Sequence, residues 1–163
     1  MVIPKTEFAA QYWGRGTDWC TAYGDPKGKW PKRTSTFDEY DKGPLYIWND
    51  NNGEKYQFHF PSRQFMDSGD RPISHEKLQY FRTQHPVLKK VFAMKEKEFA
   101  KNPQLAYEYA RDVIGRFPEA EEAIAKDPEW AYMYAKNVIK PSKYKYFSDI
   151  IKGRLPKFKP KKS

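Results

Sequence analysis

The sequence predicts an α+β fold: a small antiparallel β-meander preceded by short helices, then a helical-hairpin repeat and a basic tail. Three observations carry that reading. Strand-like alternation is confined to about residues 44–73, residues 103–110 recur 25 places later, and nearly all the net charge lies beyond residue 140. The predicted division is an α+β motif domain over 1–74, a helical repeat region over 75–152 and a flexible basic tail over 153–163.

From the N-terminus, residues 5–13 place Phe8, Ala9, Tyr12 and Trp13 at helical spacing, and the stretch ends at Gly14. Thr17 or Asp18 can cap a short helix through Trp19, Cys20, Thr21 and Ala22. Residues 23–33 read as loop, and Ser35 or Thr36 can cap a second short helix through Phe37 and Tyr40. Leu45–Trp48 is a strand, and Asn49–Gly53 is a turn of residues that tolerate positive φ. Residues 55–60 form the next strand, with Tyr56, Phe58 and Phe60 on one face and Gln57 and His59 on the other. Pro61-Ser62-Arg63 turns the chain into a third strand, Gln64–Asp67. Three strands cannot bury themselves, so neighbouring helices must cover a face.

Beyond residue 74 the pattern is helical. Pro103-Gln104-Leu105-Ala106-Tyr107-Glu108-Tyr109-Ala110 is echoed by Pro128-Glu129-Trp130-Ala131-Tyr132-Met133-Tyr134-Ala135, and Val113-Ile114 by Val138-Ile139. Asn102 and Asp127 precede the two prolines, which predicts a side-chain cap followed by Pro in the first turn. Between the copies, residues 118–126 form a short helix with Ala120, Ala123 and Ile124 turned inward. Small alanines allow close approach of paired helices, so the repeat reads as a short solenoid packing on residues 76–85 and 87–101. A last hairpin is expected to close with residues 146–151.

Composition narrows function by exclusion. With 163 residues, 39% apolar and 17% aromatic, the chain can bury a core and is not wholly disordered. Mean hydropathy is −0.98 and no apolar run approaches the ~18 residues of a membrane span. The start, MVIPKTEFAAQYW, lacks the basic-then-apolar pattern of a signal peptide, so a protein that is not secreted is expected. A single cysteine, Cys20, permits neither an internal disulfide nor a cysteine-based zinc site, in keeping with a reducing cytoplasm. No phosphate-binding loop, dinucleotide fingerprint or zinc-protease motif is present, and His59, His75 and His85 are scattered. Neither a metal nor a cofactor is expected.

Net charge is +9, unevenly spread. Residues 1–74 hold ten basic and ten acidic side chains, and residues 75–140 hold twelve and ten. Residues 141–163 hold Lys143, Lys145, Lys152, Arg154, Lys157, Lys159, Lys161 and Lys162 against Asp149 alone. Such a segment attracts polyanions, nucleic acid above all, or serves as a solubilising end. Tyr144, Tyr146 and Phe158 are interleaved with those lysines, whereas the aromatics at repeat spacing read as a packing seam.

One set of residues bears on catalysis. Cys20 falls at a predicted helix start, which favours thiolate, with His59 on a strand and Asp67 on the next strand. Neighbouring antiparallel strands can hold a His–Asp pair that orients an imidazole toward a thiol, making Cys20 nucleophile, His59 base and Asp67 orienter. This order resembles the transglutaminase-like arrangement, although the His-to-Asp spacing is tighter than that family shows. The plainer alternative is a small buried cysteine and an exposed strand histidine.

Gly14-x-Gly16-Thr17-x-Trp19-Cys20-Thr21-Ala22, Gly43-Pro44-Leu45-Tyr46-Ile47, residues 55–60 and Gln64-Phe65-Met66-Asp67 together resemble a group of uncharacterised tailed-bacteriophage proteins. Tyr109-Ala110-Arg111-Asp112-Val113-Ile114 is similar to the helical repeats that follow the motif there. The resemblance spans most of residues 5–140 and implies a viral origin and the two-part architecture, with no assigned activity. The expectation is a phage accessory protein of the bacterial host cytoplasm or the virion, binding nucleic acid or a nucleic-acid-bound host machine. A thiol enzyme using Cys20, His59 and Asp67, and an inhibitor of a host defence protein, are the alternatives.

Overall fold

The structure is a computed structural model and describes residues 1–139. The chain divides into two compact units, Met1–Ser74 and a second beginning at His75. Among the described residues there are one open three-stranded antiparallel sheet and six α-helices, an α+β architecture. None of those helices is long and apolar enough to cross a membrane.

In the first unit, helix α1 (Glu7–Trp13) starts where the Thr6 hydroxyl accepts the Ala9 amide at 3.2 Å. The aromatic residues at helical spacing do not mark its buried face. Ala10 is fully buried, whereas Phe8 is 73% exposed and Tyr12 and Trp13 also face out. The reason lies at Gly14, where a Cβ would come within 2.6 Å of Ala22 Cβ and 2.9 Å of the Ala10 carbonyl. Small residues let the end of α1 lie flush on the segment that follows.

The sheet runs β1 (Leu45–Asn49), β2 (Lys55–His59), β3 (Gln64–Asp67), in that order and antiparallel throughout. Asp50 builds the first turn: its carboxylate accepts the Asn52 and Glu54 amides at 2.8 Å, and Gly53 supplies φ +80°. The second turn closes through the Arg63 amide to the Phe60 carbonyl at 3.1 Å. Val2 exchanges two 2.8 Å backbone hydrogen bonds with Ile47, which occupies part of the free edge of β1. Both faces of β2 are buried. Phe58, Phe60, Phe65 and Tyr46 form one aromatic layer, with ring centroids 5.2–6.0 Å apart. On the other face Ile47 packs with Trp19 and Ala22, and Gln57 accepts the Thr21 hydroxyl at 2.6 Å.

The second unit holds α2 (His75–Thr83), α3 (Leu88–Phe99), α4 (Pro103–Tyr109), α5 (Glu121–Ala125) and α6 (Pro128–Asn137). Asn102 caps α4 by accepting the Leu105 amide, and Asp127 caps α6 by accepting those of Glu129 and Trp130, each with Pro in the first turn. Ala106, Tyr109 and Ala110 are fully buried, as are Ala131, Tyr134 and Ala135 at the equivalent positions. The repeat reaches further back than the sequence pattern suggests. Glu96 accepts the Tyr109 hydroxyl at 2.8 Å and pairs with Arg82, while Glu121 accepts the Tyr134 hydroxyl at 3.0 Å and pairs with Arg116. The two glutamates stand in register with the 25-residue repeat. One position breaks the equivalence: Tyr107 is buried, stacks near Trp130 and accepts the Asn137 amide at 2.8 Å, whereas Tyr132 is exposed. The expected closing segment 146–151 and the tail lie outside the described residues.

Candidate functional site

Much of the distinctive N-terminal motif is occupied in holding the first unit together. The Thr17 hydroxyl donates to the Gly14 carbonyl at 2.7 Å. Trp19 is fully buried, and its indole N–H donates to the Asp67 carbonyl at 2.6 Å, tying the motif to β3. Thr21 reaches Gln57 on β2. Cys20 begins only a three-residue 3-10 turn, Cys20–Ala22, with no side-chain cap, too short to carry a helix dipole. The thiol is half-buried, and its sulfur lies 3.9 Å from the Tyr40 hydroxyl. That hydroxyl donates to Gln64 Oε1 at 2.6 Å, so the thiol is the donor toward Tyr40.

His59 is buried rather than exposed, 3% accessible. Its Nδ1 meets the Ser62 hydroxyl at 2.7 Å, and its ring packs edge-on against Tyr40 with centroids 4.8 Å apart. Nε2 is buried with no hydrogen-bond partner among the described residues. Burial pushes the imidazole below the ordinary histidine value, against weaker pulls from the Gly43 backbone and Asp41. Tyr40 is shifted the other way. Burial first, then the Cys20 thiol, holds its hydroxyl well above its ordinary value, so it stays protonated at neutral pH and cannot act as a base.

Asp67 does not reach His59. The register pairs His59 with Gln64 and Asp67 with Tyr56, which places Asp67 on the opposite face of the sheet and three residues along β3 from Gln64. Its carboxylate instead accepts the Gly69 and Arg71 amides at 2.9 and 3.1 Å and the Arg71 guanidinium at 3.0 Å. Burial opposes its ionisation, but these donors prevail and hold the carboxyl below the usual range. The expected Cys–His–Asp arrangement is therefore not assembled: Tyr40 is the thiol's partner, and Gln64 stands opposite His59 where an acid was expected. Among the described residues no three of His, Cys, Asp or Glu are placed to hold a metal ion. A cleft of about 310 Å³ opens beside Tyr40, between Lys5, Phe37, Gly43 and Leu45.

The buried histidine makes a pH dependence that can be measured. The unfolded chain binds a proton at the ordinary value of about 6.5, which folded His59 resists, so stability falls as pH drops through that value. Each pH unit by which the folded value is depressed corresponds to about 1.4 kcal/mol lost below it. His59→Asn should remove that share of the decline. Thermal midpoints at pH 7.5 and 5.5 check this, and an equal fall in parent and variant would refute it.

A second feature is masked in the charge sum of residues 1–74, which is zero. Four cations, Lys27, Lys29, Lys32 and Arg33, fall within Pro26–Arg33 with no acidic residue among them. A short-window charge count reveals them where a domain sum cannot. The loop has a defined shape: Gly24, at φ +86°, donates to the Trp30 carbonyl at 3.0 Å, and the Lys27 amide donates to Asp25 Oδ1 at 2.9 Å. Asp25 is buried and paired with Arg15, which holds its carboxyl below the usual range through their hydrogen bond and neutralises it. Trp30 donates to Asp18 at 2.9 Å, and Lys29 pairs with the same carboxylate at 2.7 Å. The Arg33 guanidinium lies 4.4 Å from the Trp30 ring centroid and 5.2 Å from that of Tyr23. Lys143, Lys145, Lys152, Arg154, Lys157, Lys159, Lys161 and Lys162 lie outside the described residues.

A scan of protein-family models, curated proteins and solved structures finds nothing that matches this chain.

Proposed function

We propose that the chain is an accessory protein of a tailed bacteriophage that acts by binding, with nucleic acid or a nucleic-acid-bound host machine as its partner in the infected cytoplasm or the virion. The observation that carries this reading is the partition of charge, eight basic residues against one acid over residues 141–163. Coulombic attraction and counterion release need no pocket, only cations that can reach phosphates. The separation of Asp67 from His59, and the protonated Tyr40 beside Cys20, weigh against the thiol-enzyme alternative.

The test compares the full chain with one ending at Gly153, using labelled DNA and RNA over a series of salt concentrations. If four to six of the eight cations meet phosphates, the tail contributes a slope of log K against log salt of about −4 to −5 on duplex, at ~0.9 per phosphate. The truncation removes Arg154, Lys157, Lys159, Lys161 and Lys162 and should flatten that slope by about half or more. Equal affinity and slope in both chains would make the tail a solubilising end. No binding of either chain at low salt would overturn the proposal in favour of a protein partner on the helical repeat.

A further inference from the structure

We infer that the loop Gly24–Arg33 is a second nucleic-acid-binding surface, within the folded first unit, and that it takes a single-stranded polynucleotide. The inference rests on the reading of the chain as a nucleic-acid binder and assigns part of that binding to a site other than the tail. Pro26, Lys27, Lys29, Pro31, Lys32 and Arg33 are all exposed. Neither the Lys27 nor the Lys32 ammonium is in an ion pair among the described residues, Lys27 feeling Asp25 only at longer range, so each can meet a phosphate without giving up an existing ion pair. Of the acids that pair in and beside the loop, Asp25 is taken up by Arg15 and Asp18 by Lys29, so four cations face two carboxylates that already have partners.

Charge alone does not select single strands. The selection comes from Arg33, an exposed guanidinium already stacked on Trp30 and hydrogen-bonded to the Tyr23 hydroxyl at 3.1 Å. A flat cationic plane backed by an indole is a surface on which an unpaired base stacks while flanking phosphates meet lysines. A duplex hides those base faces, and the loop supplies no helix or β-ribbon to enter a groove. The hydrogen bonds of Gly24, Lys27 and Gly28 fix the loop beforehand, so little chain entropy is lost on binding.

The test uses the full chain and fluorescein-labelled oligothymidine, with a mixed-sequence duplex as comparison. Lys27→Gln with Lys32→Gln should reduce the salt slope on oligothymidine by about 1.4, at ~0.7 per phosphate on single strands. Arg33→Lys keeps the charge and loses the plane; it should weaken oligothymidine binding about tenfold at an unchanged slope and leave the duplex nearly untouched. If the parent binds oligothymidine and both variants match it in affinity and slope, the loop is not a binding surface, while the tail proposal stands. Equal losses on duplex and single strand would overturn the single-strand assignment. Failure of the parent on both probes at low salt would overturn this inference together with the proposed function.

Discussion

Trp19→Ala should destabilise the first unit by about 3–5 kcal/mol, the range for emptying a fully buried large aromatic site. The indole packs with Ala22, Ile47 and Met66, so its loss opens a cavity between the N-terminal segment and the sheet. It also leaves the Asp67 carbonyl without the indole N–H that now meets it at 2.6 Å. Trp19→Phe refills most of the volume without restoring that donor, so it should recover the larger part of the loss and remain about 1–2 kcal/mol below the parent. Amide exchange in β1, β2 and β3 reports this unit separately from the helical one. Protection in Trp19→Ala within about 1 kcal/mol of the parent would show that the motif does not anchor the sheet.

Glu121→Ala should cost the second unit about 3 kcal/mol. Glu121 is fully buried, and its carboxylate accepts from the Arg116 guanidinium and from the Tyr134 hydroxyl at 3.0 Å. The same hydroxyl accepts the Phe117 amide at 2.8 Å, so one carboxylate closes a chain of buried groups. Burial raises the Tyr134 hydroxyl well above its ordinary value, which keeps it a donor at any physiological pH. Removing the acceptor orphans a buried donor and leaves Arg116 to return to water, a cost near the lower end of that for breaking a buried ion pair. A Glu121→Ala/Tyr134→Phe cycle should show coupling of about 0.5–3 kcal/mol, measured by denaturant unfolding. The equivalent change Glu96→Ala should cost less, because the Glu96 side chain is 18% exposed against none for Glu121. Additive effects at Glu121 and Tyr134 would mean that the paired Glu–Tyr contacts are incidental to the repeat.

Several features are legible in the sequence because they depend on local chain chemistry. Asn102-Pro103 and Asp127-Pro128 cap their helices as a side-chain acceptor followed by Pro must. The Asp50–Gly53 turn and the alternation of residues 55–60 produced the expected hairpin and parity. Repetition also marked Ala110 and Ala135 as equivalent, and both are buried.

What tertiary structure decided was which of these local elements meet. The alternation says that His59 lies on one face of β2, but only the length of the Phe60–Arg63 turn decides that Gln64 stands opposite it and that Asp67 falls on the other face. A candidate triad read from chain order fails on that parity alone. Tyr40 reaches Cys20 from 20 residues further along the chain, a contact with no local signature. Glu121 is an acid in the first turn of a short helix, yet it is fully buried because Arg116 and Tyr134 converge on it. The outward aromatics of α1 follow from Gly14 and Ala10, since helical spacing shows which residues share a face but not which face the rest of the chain covers. Capping, turn geometry and periodicity are short-range and so written along the sequence. Register, burial of charge and the choice of packed face depend on contacts between distant segments, and only the folded chain determines them.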